Sequence, residues 1–165
     1  MYICDWSSDV CSSDLVFDSE EVGSGSYQGA AADFMESALA RICRELNLEE
    51  SCQKAKSFLV SADNGHALHP NHPELSDGNN APVLNGGVVI KFNANQKYTT
   101  DGQSAAIFRK ICQKADVPVQ TYCNRADIAG GSTLGNISLR QVAVPSVDIG
   151  LAQLAMHSCY ETAGV

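Results

Sequence analysis

The chain has 165 residues, 44% of them apolar and 18% charged, a composition that excludes a disordered polyelectrolyte and fits a folded domain. A net charge of −8 without a Lys/Arg stripe argues against a nucleic-acid surface, and no apolar run approaches the roughly 20 residues of a membrane-spanning helix. One domain with a real core is expected, since a chain of about 150 residues buries roughly two-thirds of its unfolded surface.

Residues 4–15, CDWSSDVCSSDL, contain Ser-Ser-Asp twice, five residues apart. The string resembles one reading frame of a common sequencing-library adapter, so residues 1–15 are expected to be a read artefact ahead of residues 16–165. No signal-peptide apolar region argues for a targeting role. Setting aside Asp5, Asp9 and Asp14 leaves a net charge of −5, and the remaining Cys43, Cys52, Cys112, Cys123 and Cys159 form no Cys-x-x-Cys pair. Scattered thiols in odd number suit a reducing cytoplasm better than a disulfide framework or a zinc ribbon.

The next stretch, FDSEEVGSGS at 17–26, sets Glu20 beside Glu21. In extended backbone two such neighbours point to opposite sides and do not chelate one ion together. Either this is a solvated acidic turn or the two carboxylates have different tasks. From Gly29 to Leu46, apolar Phe34, Met35, Leu39, Ile42 and Leu46 recur at helical spacing. Residues 57–62, SFLVSA, read as a buried strand ending at Asp63. A polar loop over 63–87 holds three of the four histidines, and loops of that length are usually functional or mobile.

Val88–Phe92 reads as a strand, Ser104–Lys114 as a helix with Ala105, Ile107, Phe108 and Ile111 inward, and Val117–Cys123 as a strand. A turn at 130–133, a helix at 134–140 and a strand at 142–149 complete the order. Strands alternating with helices predict an α/β fold, a three-layer α/β/α sandwich around a largely parallel sheet, with its site at the strand ends.

Asp63 lies where a predicted strand meets the polar loop, followed by His66 and His69 in SADNGHALHP. A carboxylate there suits a metal, although an Asx turn followed by surface histidines reads equally well. His157, in QLAMHSCYE, is the only histidine outside the cluster. Taken together, Glu20, Glu21, Asp63 and His157 form a carboxylate-rich set with one imidazole, which suits a co-catalytic pair of zinc or manganese ions and therefore hydrolysis. One glutamate would then bind metal while its neighbour acts as general base.

The segments FDSEEVGSGSYQGA, SADNGHALHPNHPE, VVIKFNANQKYTTD and GLAQLAMHSCYETAGV resemble the aspartyl aminopeptidase family of di-zinc aminopeptidases, especially its bacterial members, from about Val16 to Val165. The resemblance implies Glu20 as catalytic base, Glu21 and His157 holding one Zn2+, and Asp63 holding the other. It implies substrate-binding roles for His66, Lys91 and Tyr98, in the motifs SADNGH and VVIKFNANQKY. It also implies peptide substrates, a cytoplasmic location and a homo-oligomer. Carboxylate and imidazole accept Co2+ or Mn2+ as well as zinc, so the metal preference stays open.

The family pattern includes an upstream metal-binding histidine, an upstream bridging aspartate and an inserted dimerisation domain, none of which this sequence contains. The chain is accordingly expected to be the C-terminal part of a catalytic domain and a poor enzyme alone. Two other readings are an inactive fragment offering an assembly surface, and a related di-metal carboxypeptidase or deacylase. The latter would lack HALHP and IKFNANQKY together.

Overall fold

The computed structural model describes residues 13–164; residues 1–12 of the adapter-like segment and Val165 lie outside the described part, as does the side chain of Glu21. Apolar, β-branched Val88–Phe92 forms the buried strand β3, and the other strands of the main sheet are β1 (Leu59–Ala62), β4 (Val119–Cys123) and β5 (Ser146–Gly150). Their order is β1-β5-β3-β4. The pairs β1/β5 and β3/β4 are parallel and β3/β5 is antiparallel, so the sheet is mixed with parallel pairs predominating.

Helix α4 (Gly102–Lys114) begins at a capping box in which the Asp101 carboxylate accepts from Ser104 N at 2.7 Å and Ser104 Oγ accepts from Asp101 N at 3.0 Å. It covers one sheet face through Ala105, Phe108 and Cys112, which pack on Ile90 and Val147. Ile107 and Ile111, expected inward, are 40% and 49% exposed. Burial of the small Ala105 and of Cys112 draws the helix close to the sheet and turns the two isoleucines outward.

Side chains alternate across a strand, so Val89 and Asp148 face the opposite layer from Ile90 and Val147. There the short helix α5 (Leu134–Ser138) packs on β1 and β5, and Val89 joins Ala67 and Ala152 in a second apolar cluster. Helices thus lie on both sides of the sheet. The second cluster belongs to a small sheet of β2 (Gly65–His66), β6 (Ala152–Leu154) and β7 (Thr162–Ala163), ordered β2-β6-β7. It continues the main sheet across a bend: Asp63, Gly65 and Ala67 donate backbone N–H bonds to Ile149, Leu151 and Gln153. Asn64 clamps the bend, its Nδ2 donating to Gln153 Oε1 at 2.7 Å and its Oδ1 accepting from Leu151 N at 3.0 Å.

Before β1 lie α1 (Glu20–Gly23), α2 (Phe34–Glu45) and α3 (Glu50–Lys56). The Glu20-Glu21 pair therefore sits in a helical turn rather than in extended backbone. Residues 29–33 form turns instead of helix, so α2 starts later than its apolar spacing predicts. Helix α3 was not legible in its polar sequence; the Glu49 carboxylate caps it by accepting from Ser51 N at 3.2 Å and Cys52 N at 2.7 Å. The helix at 134 ends at Ser138 and the last predicted strand starts at Ser146, four residues later than expected.

Candidate active site

A cleft of about 690 Å³ opens where the main sheet bends into the small one. Its floor follows from strand register. Ser61 pairs with Asp148, Lys91 pairs with Tyr122, and the Ile90–Ile149 pairing sets Lys91 beside Asp148 one step along. These four side chains share one face by the two-residue strand period, with Lys91 and Tyr122 lining the cleft and Ser61 and Asp148 buried beside them.

Lys91 is 2% exposed, and its Nζ donates to the Asn64 carbonyl at 2.8 Å and lies 3.5 Å from Asp63 Oδ2. Burial pulls its pKa below the ordinary lysine value, opposed by the negative charges of Asp63, Asp148 and Glu20. Helix α1 also reaches the cleft, where Glu20 and Ser24 both line the wall. Tyr98 is buried beside them, its ring 5.6 Å from Lys91 Nζ and 6.3 Å from the Tyr122 ring. Burial raises the Tyr98 hydroxyl far above the usual phenol range, so it remains a proton-bearing donor at any physiological pH.

The opposite wall comes from the small sheet. His66 pairs in register with Gln153, and β6 runs from there into the turn carrying His157. Ala155 and His157 both adopt left-handed backbone, with φ 55° and 66°, a conformation uncommon for non-glycine residues and taken more readily by His than by Ala. The Glu161 carboxylate accepts from His157 N at 2.5 Å, and Ser158 N donates to the Ala155 carbonyl at 3.0 Å, holding the turn. The His66 pKa is lowered by burial first, then by the charges of His157 and Lys91. Its imidazole is therefore neutral near pH 7.

Glu20, Asp63, His66, Lys91, Tyr98 and His157 thus line one cleft, drawn from α1, the β1 end, β2, β3, the β3–α4 segment and the β6–β7 turn. His69 and His72 line it as well, their rings 5.3 Å apart. Glu21 contributes its backbone to α1, and its side chain lies outside the described part. Carboxylate oxygen and imidazole nitrogen are the donor chemistry zinc takes. Among the described residues no three His, Cys, Asp or Glu side chains converge as a metal-holding group, so these donors fit part of a zinc shell rather than a complete one.

Sequence reading missed Asp148, which is fully buried and accepts from Thr99 N at 2.5 Å, Thr99 Oγ1 at 2.8 Å and Thr133 Oγ1 at 2.8 Å. It stands within an apolar strand pattern, and the one available signal was a lone carboxylate inside VPSVDIG. Asn64 and Gln153 were also missed, because only the bend brings them to the cleft, as was Tyr122, which the pairing of β4 with β3 sets beside Lys91.

An open α/β sheet bends around a polar cleft of carboxylates, imidazoles and a buried lysine. The profile of the family described as aminopeptidase I zinc metalloprotease (M18) matches residues 6–165. A probable M18 family aminopeptidase 2 of Pseudomonas paraeruginosa is 48% identical over 147 residues, covering 89% of this chain and 34% of the relative. Aspartyl aminopeptidase 1 of Schizosaccharomyces pombe is 46% identical over 151 residues, covering 90% and 32%. The solved structure of the S. cerevisiae mApe1 dodecamer superposes with a TM-score of 0.77 at 29% identity, covering 88% of this chain and 32% of that one. The chain belongs to the M18 family of zinc metalloproteases. It spans about a third of the length of the curated relatives it matches.

Proposed function

We propose that the protein containing this chain is a metallo-aminopeptidase that removes amino-terminal residues, acidic ones among them, from peptides. The observation that carries this reading is the meeting of Glu20, Asp63, His66, Lys91, Tyr98 and His157 in one cleft. In this reading Glu21 and His157 hold one Zn2+ and Asp63 holds a second, the remaining donors coming from beyond the described residues. Zinc, when bound, supplies Lewis acidity toward a peptide carbonyl and a water.

Glu20 takes a proton from the attacking water and returns it to the leaving amine, the work of a general base turned acid. Tyr98 O–H and His66 donate to the carbonyl oxygen as negative charge develops on it. Lys91 has three N–H donors, and Asp63 and Asn64 engage two of them, so the ammonium can also receive an acidic side chain or a substrate carboxylate. A homo-oligomer belongs to this reading, supported by the dodecameric relative. So does the cytoplasm, supported by five described cysteines that are all free thiols. No described helix is long and apolar enough to cross a membrane.

The test compares the 165-residue chain with the same chain joined to the segments of an M18 relative that it does not span. Zinc per chain is measured by elemental analysis after dialysis, and amine release is assayed on aspartyl and leucyl amides. The joined protein should retain zinc and prefer the aspartyl amide, while the short chain retains little of either activity or metal. Absence of zinc-dependent hydrolysis in the joined protein would sink the reading.

A further inference from the structure

We infer that Asp148 is a positioning residue for the cleft, tying the Tyr98 segment and the Thr133 turn to β5 from beneath. The inference rests on reading the cleft as the active site, but the ties themselves do not.

Three observations carry it. First, the two carboxylate oxygens serve different segments: Oδ2 accepts from Thr99 N and Thr99 Oγ1, and Oδ1 accepts from Thr133 Oγ1. Asp148 N donates to Thr100 Oγ1 at 2.9 Å, so backbone and side chain grip the same segment. Tyr98 immediately precedes this grip and α4 starts just after it, which leaves the ring little room to shift. Second, α5 approaches so closely that a Cβ on Gly135 would stand 2.7 Å from Asp148 Oδ1, so the Thr133 turn and the helix behind it are seated on the carboxylate. Third, its strand neighbours Val147 and Ile149 pack into the apolar core, whereas a buried carboxylate is costly unless hydrogen bonds repay it. The bonds that repay it here lead to Thr99 and Thr100, which directly follow the cleft-lining Tyr98, and to Thr133, at the end of the cleft-lining stretch 128–133.

Amide hydrogen exchange on the 165-residue chain tests the ties without needing activity. Asp148→Ala should speed exchange at the Thr99 amide by about 10-fold to 100-fold while β3 and β4 amides stay within about twofold, because charge-assisted bonds are lost only locally. Asp148→Asn should stay close to wild type: its amide oxygen can accept from Thr99 while its NH2 donates to the Thr133 hydroxyl. Thr133→Val, which removes one bond and keeps the shape, should loosen 130–133 alone and stays informative if Asp148→Ala fails to fold.

In the joined enzyme, Asp148→Ala should lower kcat/KM on aminoacyl amides about 10-fold or more with zinc content unchanged, since misplaced groups cost catalysis steeply, and Asp148→Asn should restore most of it. Exchange that rises throughout the sheet in Asp148→Ala, or a Thr99 amide that stays protected, overturns the inference. So does local loosening with unchanged kcat/KM. If even the wild-type joined enzyme cleaves nothing, the aminopeptidase reading fails, and exchange alone still decides the ties.

Discussion

Lys91 Nζ stands 3.5 Å from Asp63 Oδ2 although β5 lies between their strands in the sheet. Gly150 makes the approach feasible. The chain leaving β1 passes over β5 at that glycine, where a Cβ would stand 2.0 Å from the Asp63 carbonyl oxygen. Replacing Gly150 by Ala should displace Asp63, costing about 1–3 kcal/mol in urea unfolding as overpacking does. It should also lower zinc retention in the joined enzyme. Normal stability and normal zinc in that variant would show that Asp63 tolerates the shift.

Lys91→Met should separate fold from specificity. The side chain of Asp63 is 28% exposed and stays hydrated when its partner is removed, so the stability change is expected to remain below about 2 kcal/mol. In the joined enzyme, kcat/KM on the aspartyl amide should fall more than on the leucyl amide. Equal losses on both substrates would reject pairing with an acidic side chain.

Neighbouring glutamates on α1 should fail differently. Glu20→Gln is expected to leave zinc bound and cut turnover by roughly 100-fold to 10,000-fold, the contribution of a general base. Glu21→Gln is expected to lower zinc occupancy. Equal zinc loss in both, measured by elemental analysis, would reverse or dissolve the assignment.

The α4 cap should show in the acid limb of stability. The Asp101 carboxyl is held below its ordinary pKa, first by the Ser104 backbone N–H. Its charged form is thus favoured by folding, so the contribution is present above the unfolded value of about 3.9 and fades as pH falls through the lower folded value. Asp101→Ala should cost about 1 kcal/mol at pH 7, a typical loss for an N-cap, and progressively less below pH 4. Denaturant midpoints at several pH values check this; a pH-independent difference would contradict it.

In the metal-free chain, His66 should titrate below the ordinary histidine value, read from its ring proton shifts by NMR. Burial is the first cause, and the charges of His157 and Lys91 add to it, so Lys91→Met should move the value upward. The lowered pKa means that the unfolded chain binds more protons in this window. Stability is therefore complete above about pH 6.5, the unfolded value, and falls as pH drops toward the folded one. An unchanged His66 titration in Lys91→Met would remove the electrostatic link across the cleft.

Local pattern was enough to determine several elements. Five consecutive apolar or amphipathic residues at Val88–Phe92, bounded by Gly86-Gly87 and Asn93, read as a strand, and the spacing after Asp101 reads as a helix, as the structure has them. The motifs around Glu20, Asp63 and His157 carried the family resemblance, because residue type and local spacing are properties of the chain itself. Which face of α4 turned inward was different. Periodicity marked Ala105 and Phe108, which are buried, but also Ile107 and Ile111, in whose place the distance allowed by the sheet selected Cys112.

The antiparallel meeting of β3 with β5, the bend at Asn64 and the burial of Asp148 depend on residues far apart in sequence, paired across 15 to 89 positions. No local propensity encodes such pairings. Only the tertiary structure decided them, since a carboxylate inside a strand reads as an exposed residue until the Thr99 and Thr133 donors fold over it.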